Sequence, residues 1–352
     1  MENSIDRKKV ENHLQFGPSP HIRTKRTVES IMTEVLLALI PPIIAAVYFF
    51  GWWVFVQLAV AMATAVLSEF LFQKVTYRKI TIHDRSALVT GALIGLSFPI
   101  TAPLWVIIIT SVFAIVVVKQ WNLGLGNGGI GRNYLNPAVT ARVCAKVFFT
   151  PFFTDWVLPS GFFGGAYGGV DAVSSSTPLE FVGHGAQSVS NQVPDLRELF
   201  LGLDLGGNIG ETSKLAIIIG MLYLIFRRII HPKIPILFIG STVLVMCFWA
   251  SFNLEFMMTH ALTGTLFFGA TYMATDYSSG TLTPGGKTVF AIGGGVLTAL
   301  IRIIFDFPGG FGIALIIMNI CAPFIDQKLM PRIYGHKKRP DVKFDRQNPN
   351  QL

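Results

Sequence analysis

Charge is what this chain of 352 residues has least of. Asp, Glu, Lys and Arg together make up 14% of it, against about 25% in an average soluble domain. With 51% hydrophobic residues and a mean hydropathy of +0.55, that shortage excludes an ordinary soluble enzyme and a disordered chain. Cysteine is scarce too. Cys144, Cys247 and Cys321 lie far apart, and no two have C-x-x-C spacing. A disulfide-stapled secreted module is thereby excluded, and no zinc, iron–sulfur or other metal site is expected. The three thiols read as small buried hydrophobes, or as ligands shared with another subunit. The first 29 residues are polar and lack the apolar core of a cleaved signal peptide. Insertion would therefore fall to the first apolar run.

What the chain has instead is long apolar runs and 34 glycines. A helix crosses a bilayer with about 20 mainly apolar residues. Ten stretches qualify, some of them short: 30–50, 53–73, 86–100, 104–120, 134–150, 213–229, 234–251, 257–274, 287–305 and 310–330. The expected fold class is an all-α polytopic membrane protein. Placing the N-terminus in the cytoplasm puts 23 of the 28 basic residues on that side, among them Lys119 and Arg132. Only Arg142, Lys146, Arg197, Lys214 and Arg302 remain on or near the outside. The positive-inside rule selects this orientation, with both termini in. It also reads the net charge of +8 as an insertion signal, with no nucleic-acid partner. The expected organisation is a cytoplasmic segment 1–29, a five-helix unit 30–150, an external loop 151–212, a second five-helix unit 213–330 and a basic tail 331–352. The loop carries seven acidic residues and one basic residue, Arg197.

The two halves resemble each other. Leu88-Val89-Thr90-Gly91-Ala92-Leu93 matches Ala261-Leu262-Thr263-Gly264-Thr265-Leu266, and Asn136-Pro137 is echoed by Asn319 and Pro323. Five spans is an odd number, so the halves would enter from opposite sides as inverted repeats. Such repeats place a binding site near the midplane. Thr90, Gly91, Thr263 and Gly264 are its candidates, with close helix packing as the alternative reading. Ionisable groups in apolar spans are costly and mark ion paths or pairs. Glu34, Glu69, Asp276 and Asp306 are the candidate path, and Arg302 with Asp306, four residues on, makes a local pair the alternative. Two phosphate-loop imitations, Gly124 to Gly129 and Gly280 to Thr288, lack the setting or spacing of real ones and read as turns.

The external loop contains Asp171-Ala172-Val173-Ser174-Ser175-Ser176-Thr177-Pro178. Pro178 restricts Thr177 to an extended conformation that presents its hydroxyl. Taken alone, such a string is a polar linker. Its context changes that. The chain resembles the D subunit of the Rnf electron-transport complex and, more distantly, the B subunit of sodium-pumping NADH:quinone oxidoreductase. The resemblance covers nearly the whole chain. It rests on Ser19-Pro20-His21-Ile22-Arg23, Ser86-Ala87-Leu88-Val89-Thr90-Gly91 and Gly131-Arg132-Asn133-Tyr134-Leu135-Asn136-Pro137-Ala138, with ten spans and a long loop after the fifth.

The resemblance implies an FMN joined by a phosphoester to Thr177, with Ser174, Ser175, Ser176 and Asp171 around it. Ser176 stands where the family pattern has Ala. The resemblance further implies a flavin transferase for maturation and partner subunits in the cytoplasmic membrane of a prokaryote. Electrons would run from ferredoxin to NAD⁺, coupled to sodium or proton transport. A second, noncovalent flavin (riboflavin in the related subunit) would lie near Thr90-Gly91 and Thr263-Gly264. The same five-plus-five plan is also similar to urea and ammonium channels, which makes a small-solute channel the rival reading. In intact cells a membrane-impermeant maleimide is expected to label Ser188→Cys. Asp341→Cys should react only after permeabilisation, and the reverse pattern would overturn the orientation.

Overall fold

The computed structural model describes residues 26–124, 128–129, 131–153, 195–203, 206–249, 252–305 and 309–331. Among them the chain is helical throughout, with no strand. In chain order the principal helices are α1 (Val28–Phe50), α2 (Trp53–Val75), α3 (Ser86–Leu96), α4 (Leu104–Gln120) and α5 (Pro137–Phe148). The short α6 (Leu196–Leu201) leads to α7 (Lys214–Phe226), α8 (Lys233–Trp249) and α9 (Leu254–Leu262). Next come α10 (266–273), α11 (Pro284–Ile304) and α12 (Gly310–Lys328). By length and composition α1, α2, α11 and α12 can cross a membrane, and α3, α4, α7 and α8 are shorter apolar helices.

The radial order of side chains is the reverse of a soluble protein's. On α2 the polar Gln57, Ser68, Glu69 and Gln73 are all buried, while Phe55, Leu67, Leu71 and Val75 are exposed. A helix that hides its polar residues and shows its apolar ones is solvated by lipid. Ile44, Leu222, Ile236 and Phe324 continue that exposed apolar surface on other helices. The chain is an integral membrane protein.

Start signals follow local chemistry. Asn136 caps α5 by accepting from the Ala138 and Val139 amides, with Pro137 at the first helical position. Thr283 and Pro284 open α11 the same way. The breaks within helices are more informative, because each frees carbonyls that lipid cannot satisfy. In α1, Pro42 has no N–H for the Ala38 carbonyl, and the Tyr272 hydroxyl donates to that oxygen at 2.9 Å. Gly220 leaves the room for this contact. After α3, Gln57 Nε2 donates to the Gly95 and Pro99 carbonyls at 3.2 and 3.4 Å. At the end of α10, Asn136 Nδ2 donates to the Met273 carbonyl at 3.1 Å.

Two expected spans differ from expectation. The stretch 257–274 is no single helix, because Gly264 adopts φ 68° and separates α9 from α10. The stretch 134–150 is helical over Pro137–Phe148 only. The matched hexapeptides therefore differ locally: Leu88–Leu93 lies inside α3, whereas 261–266 straddles a break. Both threonines nonetheless bond the carbonyl four residues back, Thr90 to Ser86 at 3.0 Å and Thr263 to Thr259 at 2.6 Å.

Gly91 answers the packing reading. A Cβ there would stand 2.7 Å from Met62 Cα and 2.8 Å from the Ala61 carbonyl. Gly91→Ala is therefore expected to cost about 1–3 kcal/mol by overpacking. Gly240→Ala, where a Cβ meets nothing within 4 Å, should leave the melting temperature in detergent unchanged. Equal melting of the two variants would refute the close α2–α3 approach.

Candidate functional site

A cavity opens where α1, α3, the end of α4, the start of α5 and the 275–278 turn converge. Its enclosed space is about 150 Å³, and the whole cleft with its open mouth is about 910 Å³. Its lining combines apolar side chains, Ile31, Met32, Val35, Leu93, Leu224 and Ile229, with the polar Ser86, Thr90, Lys119, Asn133, Asn136 and Asp276. A mainly apolar lining with a few polar groups is the kind that small organic ligands find in proteins.

Lys119 is one charged group of this lining, and it is no loop residue. It lies in the last turn of α4, with its side chain 3% exposed. It sits 2.8 and 3.0 Å from the two carboxylate oxygens of Glu69 and donates to Ser86 Oγ at 2.6 Å. Gln120 Nε2 donates to Glu69 Oε1 at 2.6 Å. Gln73 donates to the Thr81 hydroxyl at 2.8 Å and reaches Glu69 Oε1 at 3.4 Å. Residues 113–120 of α4 form a π-helical segment, a type of irregularity found often at functional sites. Its altered winding brings both Lys119 and Gln120 inward.

The other candidates separate from this cavity or border it. Asp276 lines it, with its carboxylate held by the Ser278 amide and hydroxyl and the Ser279 hydroxyl, at 2.9–3.2 Å. Glu34 pairs with Arg227, whose Nε stands 3.1 Å from Oε1, and also accepts from the Tyr223 hydroxyl. Thr90 lines the cavity and Gly91 packs, whereas Thr263 and Gly264 are not among the lining residues. The expected midplane quartet is thus divided. Asp171, Ser174, Ser175, Ser176, Thr177 and Asp306 lie outside the described residues. Arg302, weighed as a partner of Asp306, donates to the carbonyls of His260 at 2.6 Å and Thr263 at 3.4 Å, covering the α9–α10 break. Among the described residues no group of three or more His, Cys, Asp or Glu is placed to hold a metal ion.

Three functional-looking residues escaped sequence reasoning. Asp326, fully buried, accepts from the Leu282 and Thr283 amides and the Thr283 hydroxyl at 2.8–3.1 Å, pinning the turn beside the cavity. Glu211 and His260 are buried at the far end of the bundle. Asp326 lies so near the basic tail that it reads as a helix-end charge, and only its partners 43 and 44 residues earlier reveal it. The Asn136–Asn319 echo, by contrast, is a contact. With the Asn319 amide oriented by its partners, its oxygen accepts from the Asn136 amide at 3.1 Å and its nitrogen donates to the Ser279 carbonyl at 3.2 Å.

The fold and cavity together define an all-helical integral membrane protein with a polar-walled site inside the bundle. The chain belongs to the NQR2, RnfD, RnfE family, whose model matches residues 15–335. It is 36% identical over 330 residues to the D subunit of the Na(+)-translocating ferredoxin:NAD(+) oxidoreductase complex of Acetobacterium woodii, covering 93% of this chain and 97% of that one. It is 33% identical to the D subunit of the ion-translocating oxidoreductase complex of Yersinia pseudotuberculosis, covering 92% and 99%. It is also 33% identical to the D subunit of the proton-translocating ferredoxin:NAD(+) oxidoreductase complex of Clostridium ljungdahlii, covering 93% and 98%.

Removing one member of a buried ion pair strands the other. Lys119→Met is expected to destabilise by about 3–5 kcal/mol, and Lys119→Met with Glu69→Gln to recover most of the loss. Thermal unfolding in detergent reads both. A double variant as unstable as the single one would show that the pair is not the operative contact.

Proposed function

We propose that this chain is the flavin-carrying membrane subunit of an ion-translocating oxidoreductase complex. The complex would couple electron transfer from ferredoxin to NAD⁺ to sodium or proton transport across the cytoplasmic membrane. The observation that carries the reading is the end-to-end match to D subunits of such complexes. The ten-span, inverted-repeat topology, with cytoplasmic termini and an external 151–212 loop, belongs to this proposal. So do the other subunits and a flavin transferase as partners, with FMN esterified to Thr177.

The residues of the Thr90 cavity fit a second, noncovalent flavin such as riboflavin. The ring system has two broad apolar faces and one edge of hydrogen-bonding groups, and the cavity lining mixes apolar side chains with hydroxyls and amides. A bound flavin supplies one- and two-electron transfer, and the protein sets its position and potential. The Thr90 hydroxyl, which donates to the Ser86 carbonyl and can still accept, would meet the polar edge. Lys119, held by Glu69 and Ser86, would fix the position of Ser86 at the cavity. For the ion, Glu34 and Glu69 are already paired with cations, whereas Asp276 lines the cavity and its carboxylate bonds among the described residues are from two hydroxyls and an amide. Asp276 is thus the foremost of the three described candidates, ahead of Glu34 and Glu69.

The covalent part has a direct test. The chain purified from cells that make the transferase should give a flavin-fluorescent band after denaturing electrophoresis, and Thr177→Ala should abolish the band at equal protein. A wild-type band without fluorescence would overturn the covalent assignment and favour the channel reading.

A further inference from the structure

Asn319 sits in the middle of the apolar helix α12 and is 1% exposed. A buried amide in a membrane helix is costly unless its hydrogen bonds are used. Here they serve one short segment. Asn319 Nδ2 donates to the Ser279 carbonyl at 3.2 Å, and its Oδ1 accepts from the backbone amide of Asn136 at 3.1 Å. Asn136 in turn sends its own Nδ2 to the Met273 carbonyl at 3.1 Å. Met273 and Ser279 stand three residues before and three residues after Asp276. Two asparagines, from α5 and α12 and bonded to each other, therefore grip both ends of the stretch that carries this carboxylate.

The grip reaches the carboxylate itself. Ser279, whose carbonyl Asn319 holds, donates its hydroxyl to Asp276 Oδ2 at 2.9 Å. Two hydrogen bonds through one residue, itself 1% exposed, thus lead from Asn319 to Asp276. Residues 274–283 form no helix, so the connection depends on bonds to its neighbours. Asp326, two turns beyond Asn319 on α12, meets it at a second point through the Leu282 and Thr283 amides. Asn136 and Asp276 line the Thr90 cavity, whereas Asn319 is not among the lining residues. Lys119, the other charged lining residue, is held separately by Glu69. What Asn319 does for the cavity therefore passes through Ser279 and Asp276. A carboxylate that takes a cation out of water replaces its hydration only as well as the oxygens are placed, and a supporting shell sets that placement.

We propose that Asn319 is a positioning residue that fixes the Asp276 carboxylate at the cavity for the translocated cation, acting through Ser279. This rests on the reading of Asp276 as the foremost described carboxylate for the ion, and it adds the residue that sets where that carboxylate stands.

The test uses membrane vesicles holding the whole complex. Electron transfer from reduced ferredoxin to NAD⁺ is followed while Na⁺ is varied, and again while pH is varied at constant Na⁺. Asn319→Ala is expected to raise the half-saturating concentration of whichever cation sets the wild-type rate by at least about fivefold, the weight of one lost hydrogen bond. The saturated rate should be nearly kept. Ser279→Ala, which cuts the same route one bond later, should move the same midpoint, and it carries the test if Asn319→Ala fails to accumulate. The double variant should move the midpoint by less than the product of the two single shifts. Hydrogen exchange should quicken within 273–283 of Asn319→Ala and stay unchanged in α2. An unmoved midpoint in either single variant, a lower saturated rate without a midpoint shift, or faster exchange throughout the bundle would overturn the positioning role. Asp276→Asn separates the two levels. Cation dependence intact in that variant removes the reading of Asp276 and Asn319 with it, whereas dependence lost there and unmoved in Asn319→Ala removes Asn319 alone.

Discussion

In the apolar part of a bilayer no water waits to take up a broken hydrogen bond, so every helix interruption must be repaired by the protein itself. This constraint organises the molecule. Tyr272 repairs the proline break in α1, Gln57 the end of α3, Arg302 the α9–α10 gap, and Asn136 the end of α10. Each repair is a long or forked polar side chain sent from another helix, and each fixes how those two helices meet. The interruptions are what give the bundle its interior polar surface. A bundle of unbroken helices would have no carbonyls to offer and little reason to bury these polar groups.

The described polar groups sort into two regions. Around the Thr90 cavity, Lys119 is balanced by Glu69, and Asp276 adds a further carboxylate held by serines. Around Glu211, cations outnumber described carboxylates. A charge on the wall of the first region is held in place by a buried partner. In the second, Glu211 stands 2.7 Å from Arg142 and accepts from Asn208 and Thr265. Both regions draw residues from the two halves of the chain, so neither half contains a complete site.

The parts of this arrangement legible in the sequence were those that depend on local pattern. Apolar length marked the helices. Glu34 and Glu69 stood out because carboxylates are rare in such runs, and both proved to be paired. Thr90 and Gly91 stood out together, although the motif alone does not separate a cavity-lining residue from a packing one. What the sequence hid were choices between distant partners. Lys119 at the end of an apolar run has the look of a loop cation, and only the π-helical winding of 113–120 shows that it turns inward. The α9–α10 break was hidden because Thr-Gly-Thr is as compatible with a close-packed helix as with a left-handed glycine. Arg302 has an acid one turn ahead in sequence, and its described bonds go instead to carbonyls about 40 residues away.

The contact between Asn136 and Asn319 bears on the order in which the protein is made. Asn136 begins α5, yet its backbone amide is satisfied by a side chain on α12, 183 residues later. During synthesis every preceding helix is threaded into the membrane before that acceptor exists. Until α12 arrives, the start of α5 keeps an unmet donor beside the cavity wall. Closure of the site is therefore the last event of assembly, and a chain cut short before residue 319 would stay open where the polar wall forms.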